Sequence, residues 1–190
     1  MQDEKQIISA TKWKMVEKIS TKGTQIIIQI ILARLLLPAD YGTLAILTVF
    51  VNFANVFVQS GFSTALIQKF ETDELDFSTC LYASLGISLC VYFVLWICAP
   101  IVANFYAMHD LIILIRIISI VVFSCAVNSV QYAYISRKFQ FKTYTIATFT
   151  ASIIAGGMGV VMAYSGLGVW ALVMQQILAN YLVVMILFFI

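Results

Sequence analysis

The stretch LIILIRIISIVVFSCAVNSVQYAYI, residues 111–135, decides the fold class. It carries one charged side chain, Arg116, and exceeds the roughly 20 apolar residues that a helix needs to cross a bilayer core. A membrane-barrel strand would alternate polar and apolar residues over about ten positions. The opening run Leu111 to Ile115 does not alternate, and neither does Ile26-Ile27-Ile28. The segment reads as a transmembrane helix.

Working outward, five further runs have the same character, so the chain is expected to be an all-α integral membrane protein with six spans, at about 20–37, 41–68, 78–106, 111–135, 143–164 and 168–190. Pro38 stops the first span, and Asp40 is placed to cap the second. An acidic loop, Lys69 to Asp76, follows the second span. Pro100 is expected to kink or end the third, Arg137 and Lys138 close the fourth, and the turn Ser165-Gly166-Leu167-Gly168 leads into the last.

Residues 1–19 differ, with Lys5, Lys12, Lys14 and Lys18 among Ile8, Trp13, Met15 and Ile19. They are expected to form an amphipathic helix at the cytoplasmic interface, ahead of a six-helix transmembrane lobe over 20–190. No small-residue cleavage site follows the first apolar run, so no cleaved signal peptide is expected. The chain stops in the apolar run Tyr181 to Ile190 without a polar exit segment, which predicts one half of a larger protein or a truncated one.

Composition agrees. Of 190 residues 62% are apolar and 11% charged, about half the charge of an ordinary soluble domain. That excludes a disordered chain, a secreted disulfide scaffold and an ordinary soluble domain. A net charge of +2, spread along the chain, gives no reason to expect nucleic acid as a partner. Cys80, Cys90, Cys98 and Cys125 have no CxxC spacing, and His109 is the only histidine, so neither a metal nor another cofactor is expected.

The basic residues set the orientation. Lys5, Lys12, Lys14, Lys18, Lys22, Lys69, Arg137, Lys138 and Lys142 all fall in the N-terminal segment or the loops after spans two and four, and none falls in the other loops. Positive charge stays in the cytoplasm, which places the N-terminus inside the plasma membrane.

Polar side chains within spans are costly unless they face protein or water. At 100° per residue, Thr48, Asn52, Asn55, Gln59 and Ser63 form a continuous polar stripe on the second span. Asn128 and Gln131, with Ser124, repeat it weakly on the fourth. Gln25 and Gln29, and Gln176 and Asn180, are i,i+4 pairs suited either to a cavity or to helix–helix hydrogen bonding. Arg34, near Pro38, either snorkels outward or faces the cavity, whereas Arg116 lies deeper and is the better cavity cation. Ala147, Ala151, Ala155, Gly159 and Ala163 recur every fourth residue and predict a helix-packing ridge. No carboxylate lies deep in a span, and no catalytic set is present, so the expectation is a transporter and not an enzyme.

Four phrases then fall at helix ends in order: Arg34-Leu-Leu-Leu-Pro38-Ala-Asp40-Tyr41-Gly42, Gly61-Phe-Ser-Thr-Ala65-Leu-Ile-Gln68-Lys69, Ala99-Pro100-Ile-Val-Ala103-Asn-Phe-Tyr106 and Arg137-Lys138-Phe-Gln-Phe-Lys142. With them the chain resembles the N-terminal half of the polysaccharide biosynthesis, O-antigen (Wzx-like) flippases, within the multidrug, oligosaccharidyl-lipid and polysaccharide exporters. The resemblance implies one lobe of a two-lobed MATE-like exporter in the bacterial inner membrane. It also implies a polyprenyl-diphosphate-linked oligosaccharide as cargo in polysaccharide or lipopolysaccharide biosynthesis, and a second lobe or second copy as partner. Gln59 stands where many relatives are expected to carry an acid. The competing readings are a multidrug exporter of the same fold and a fragment of an integral-membrane glycan-pathway enzyme.

Overall fold

The computed structural model describes the backbone of residues 2–59, 66 and 74–189, with side chains from 13 to 58, at 66 and from 75 to 189. Among these residues the chain is helical throughout: α1 (Gln2–Leu35), α2 (Pro38–Gln59), α3 (Glu74–Phe105), α4 (Leu111–Ile118), α5 (Val121–Arg137), α6 (Phe141–Tyr164) and α7 (Val169–Phe189). Among the described residues five spans are long and apolar enough to cross a membrane: α2, α3, α4 with α5, α6 and α7.

The expected interfacial segment and first span are one unbroken helix, α1. No proline interrupts it, and the hydroxyls of Thr21 and Thr24 fold back onto the carbonyls of Glu17 and Ser20 without breaking the ladder. Its 34 residues measure about 50 Å, more than a bilayer core. Lys22, Gln25, Gln29 and Arg34 make its second half the least apolar of the long helices. In α3 the helix runs through Pro100 to Phe105 instead of ending there. The run 111–135 is broken at Ser119 and Ile120. There the Ser119 hydroxyl donates to the Ile115 carbonyl at 2.6 Å, and the next backbone bonds tighten to the i+3 pattern. The expected second span extends beyond α2 into residues that lie outside those described.

Three helix ends are closed by the same device. After α3, α5 and α6 the chain passes through a left-handed residue, Ala107, Phe139 or Gly166, and two backbone N–H groups fold back onto the last turn. At the other end of a connection, Pro38 opens α2 and the Asp40 carboxylate accepts the Leu37 N–H at 3.1 Å, the reciprocal half of a capping box.

The helices form two groups. α1 lies along α6, which packs on α7. On the other side α2 and α3 pack with α4 and α5, and the groups meet where α7 touches α5, α2 and α4. One core joins Leu47 and Val51 of α2 to Ala99 of α3, Leu111 and Ile115 of α4, and Val173 of α7. A second joins Ile28, Leu32 and Leu36 to Ala163, Ala171 and Leu172. The outer surface is apolar as well: Ile26, Ile27, Phe53, Val56, Ile97, Ile101, Ile153 and Val161 are exposed. Such a surface is stable against lipid and not against water. The chain is a multi-pass membrane protein.

Candidate functional site: an amide-lined groove

Between the two groups runs a polar groove. Its section nearer Pro38 has a volume of about 370 Å³ and is lined by Gln25 and Gln29 of α1, Tyr41 and Thr48 of α2, Ser152 of α6, and Gln175, Gln176 and Asn180 of α7. The section nearer Trp13 measures about 290 Å³. It adds Glu17 and Thr21 of α1, Asn128 of α5, and Tyr144 and Thr148 of α6. The two share Gln25, Ser152 and Asn180 and are therefore continuous.

Helical spacing explains the lining. Glu17, Thr21, Gln25 and Gln29 recur every fourth residue on α1, as do Tyr144, Thr148 and Ser152 on α6 and Gln176 and Asn180 on α7, so each helix presents one polar line. Threonine hydroxyls along these lines donate to their own helix, Thr148 to the Tyr144 carbonyl at 2.9 Å for example, which leaves the amides as the groups free to meet a ligand. Asn180 Nδ2 donates to the Gln176 carbonyl at 2.8 Å, and its Oδ1 lies 3.8 Å from Cys125 Sγ. Asn128 Oδ1 is buried with no hydrogen-bond partner. An unpaired buried acceptor of this kind marks a place where a donor is missing.

Small residues set the groove's width. Ala147, Ala151, Ala155, Gly159 and Ala163 are all buried along α6. A Cβ on Gly159 would come within 3.0 Å of Gln175, so glycine leaves that amide its room. Gly156, about one turn away, lets Ile28 of α1 approach α6.

One acid reaches the groove. Burial pushes the Glu17 carboxyl above its ordinary range, against the lowering effect of Lys14 and Lys18 on the same helix. No carboxylate is expected deep in a span; Glu17 lies ahead of the first expected span and reaches the groove at its Trp13 end. Reading residues 1–19 as a separate surface segment hid Glu17, and Thr21 was passed over at the start of the first expected span. The fourth-residue spacing that they share with Gln25 and Gln29 was the available signal, and Tyr144, Thr148 and Ser152 carry the same one.

Of the residues singled out in the sequence, the structure brings together Gln25, Gln29 and Asn128, with Thr48, Gln176 and Asn180. Gln131 lies elsewhere, its Nε2 donating to the Val184 carbonyl at 3.2 Å. Asn52 is exposed, and Asn55 is half-buried with Oδ1 unpartnered; neither lines the groove. The Gln59 side chain and Ser63 lie outside the described residues. Arg34 is exposed near the end of α1. Arg116 stacks on Trp96 of α3, with Cζ 4.0 Å from the ring centroid, and its Nε is buried without a partner. Among the described residues no three His, Cys, Asp or Glu side chains come together to hold a metal.

Comparison with known proteins fits this architecture. The polysaccharide biosynthesis protein family matches residues 31–190. The teichuronic acid biosynthesis protein TuaB of Bacillus subtilis (strain 168) is 26% identical over 92% of this chain and 36% of its own length. The succinoglycan biosynthesis transport protein ExoT of Rhizobium meliloti (strain 1021) is 27% identical over 86% of this chain and 33% of its own. The chain thus spans about a third of the length of these relatives. No solved structure matches it. The match takes in α2 to α7 and the end of α1, while the α1 groove residues Glu17, Thr21, Gln25 and Gln29 precede it, and the chain belongs to the polysaccharide biosynthesis protein family.

Proposed function

We propose that the groove is one wall of the path by which a polyprenyl-diphosphate-linked oligosaccharide crosses the bacterial inner membrane. In this reading α1, from about residue 20 to 37, supplies a sixth span, and the six helices form one lobe of a two-lobed MATE-like flippase. The N-terminus is cytoplasmic, because the basic residues cluster at that end. A C-terminal lobe or a second copy supplies the facing wall, and the lobes alternate between inward- and outward-open states.

The observation that carries the reading is a groove rich in amides and poor in charge, with Asn128 Oδ1 buried and unpaired. Sugar hydroxyls are both donors and acceptors, and Gln and Asn side chains match both roles. The diphosphate requires cations: Lys14 and Lys18 flank Glu17 on α1 at the Trp13 end, and Arg34 lies exposed near the Pro38 end of the same helix, whereas Arg116 is engaged with Trp96 outside the groove. The names of the two relatives, which concern teichuronic acid and succinoglycan, support a glycan as cargo. A drug exporter of the same fold is the second reading, and Glu17 is the one groove residue that favours it.

The test replaces Gln176 and Asn180 by leucine in cells whose surface polysaccharide depends on the gene. Two lost hydrogen bonds of about 1 kcal/mol each predict a fall in export on the order of 10-fold or more at an unchanged protein level. Undiminished export would exclude the groove as the glycan path.

A further inference from the structure

A second cavity lies outside the groove, at the basic end of the bundle. It measures about 660 Å³, more than either groove section, and its charged lining residues are Lys138 and Lys142. The left-handed turn at Phe139 bends the chain from α5 into α6 so that both lysines and Thr143 face one opening. Lys138 Nζ donates to the Tyr134 hydroxyl and lies 4.1 Å from that ring's centroid, which fixes its ammonium at the rim. The α6 N-cap, Gln140, makes no side-chain cap; the Thr143 N–H donates to the Gln140 carbonyl at 3.1 Å, which leaves the Phe141 and Lys142 N–H groups of a 24-residue helix for an anion. Phe77 of α3 and Leu187 of α7 form the apolar wall.

Two ammonium groups and an uncapped helix N-terminus recognise a phosphate. The apolar wall, with Tyr134 and Phe139 exposed beside it as interfacial aromatics, places that phosphate at headgroup depth with a hydrocarbon chain beneath. We propose that this cavity binds the phosphorylated headgroup of a membrane lipid. Two sources share the chemistry: the diphosphate of the glycan carrier, arriving before it enters the groove, and an ordinary anionic phospholipid. The flippase reading bears only on which of these the cell supplies.

The test uses the chain in phosphatidylcholine nanodiscs, with native mass spectrometry measuring retention of added farnesyl diphosphate and of phosphatidylglycerol. Lys138→Gln with Lys142→Gln should weaken retention about 25-fold, near fivefold per lysine. Arg at both positions should restore it, and Lys22→Gln on α1 should leave it unchanged. Farnesyl diphosphate favoured at least tenfold assigns the site to the glycan carrier, and equal retention assigns it to bilayer phospholipid. Equal retention by the parent and the double Gln variant overturns the proposal. Gln176→Leu with Asn180→Leu should leave this binding intact, so failure here and failure of the groove reading are separately visible.

Discussion

Replacing Gly156 by alanine tests the contact that holds α1 against the rest of the lobe. A Cβ at this position would lie 2.0 Å from Ile28 Cδ1, 2.8 Å from Cγ1 and 3.4 Å from Cγ2. Swinging Cδ1 away relieves only the first of these. The Cγ1 contact requires a change at χ1, which β-branched residues resist in a helix, and Ile28 is buried among Leu32, Ala163 and Leu172. Overpacking of this kind costs about 1–3 kcal/mol, and replacing a helical glycine by alanine returns at most about 1 kcal/mol. A net loss of about 1–2 kcal/mol is expected. The assay is reversible unfolding in dodecylmaltoside micelles by increasing SDS, run as a cycle with Ile28→Ala. Truncating Ile28 alone should cost about 2–5 kcal/mol, and the pair should cost less than the sum by about 1–2 kcal/mol, because the methyl group added at position 156 then fills the vacated space. If Gly156→Ala is as stable as the parent and the cycle is additive within about 0.5 kcal/mol, α1 does not pack on α6 as described and the groove loses a wall.

Three other perturbations follow from the same geometry. Because burial raises the Glu17 carboxyl above its unfolded value of 4.5, the folded chain holds that proton more tightly. The stability this gives is complete below the unfolded value and is lost as pH rises through the folded one, so Glu17→Gln should match the parent at pH 4 and exceed it at pH 8 in the SDS assay. A variant less stable than the parent at pH 8 would contradict the burial. Single cysteines at Gln140 and His109 in a cysteine-free background report orientation: an impermeant thiol reagent should label His109→Cys and spare Gln140→Cys in spheroplasts, and the reverse pattern inverts the topology. Arg116→Lys keeps a cation over Trp96 and should retain partial export, whereas Arg116→Gln should lose it. Full export by the Gln variant removes any electrostatic role for Arg116.

The sequence revealed the helices where apolar length was the whole signal, as in Phe141–Tyr164 and Val169–Phe189. It concealed the break at Ser119, because a hydroxyl bonded to its own helix leaves no trace in hydropathy. The i,i+4 spacing of Gln25 with Gln29 and of Gln176 with Asn180 showed that each pair marks one face, but spacing left open whether that face meets a cavity or a neighbouring helix; in the structure it lines the groove. Asn52 was read from its angle on a single helix and Arg116 from its depth in a span, and neither says which neighbour covers the side chain. Asn52 lies exposed and Arg116 meets Trp96. Glu17 was missed for a different reason: charge density suggested a boundary near residue 19, whereas a helix continues wherever nothing breaks its hydrogen bonds.

The central claim, that the groove holds a lipid-linked glycan, is tested most directly by photocrosslinking in cells making the polymer. A photoreactive residue replaces Ser152 or Asn180 in the groove, or Ile153 on the exposed face of α6. Adducts should be recovered with a phosphorus-containing, glycan-bearing lipid at Ser152 and Asn180, and with ordinary phospholipid alone at Ile153. If the groove positions yield the same phospholipid adducts as Ile153 and no glycan, the groove is a lipid-filled crevice and the account is wrong.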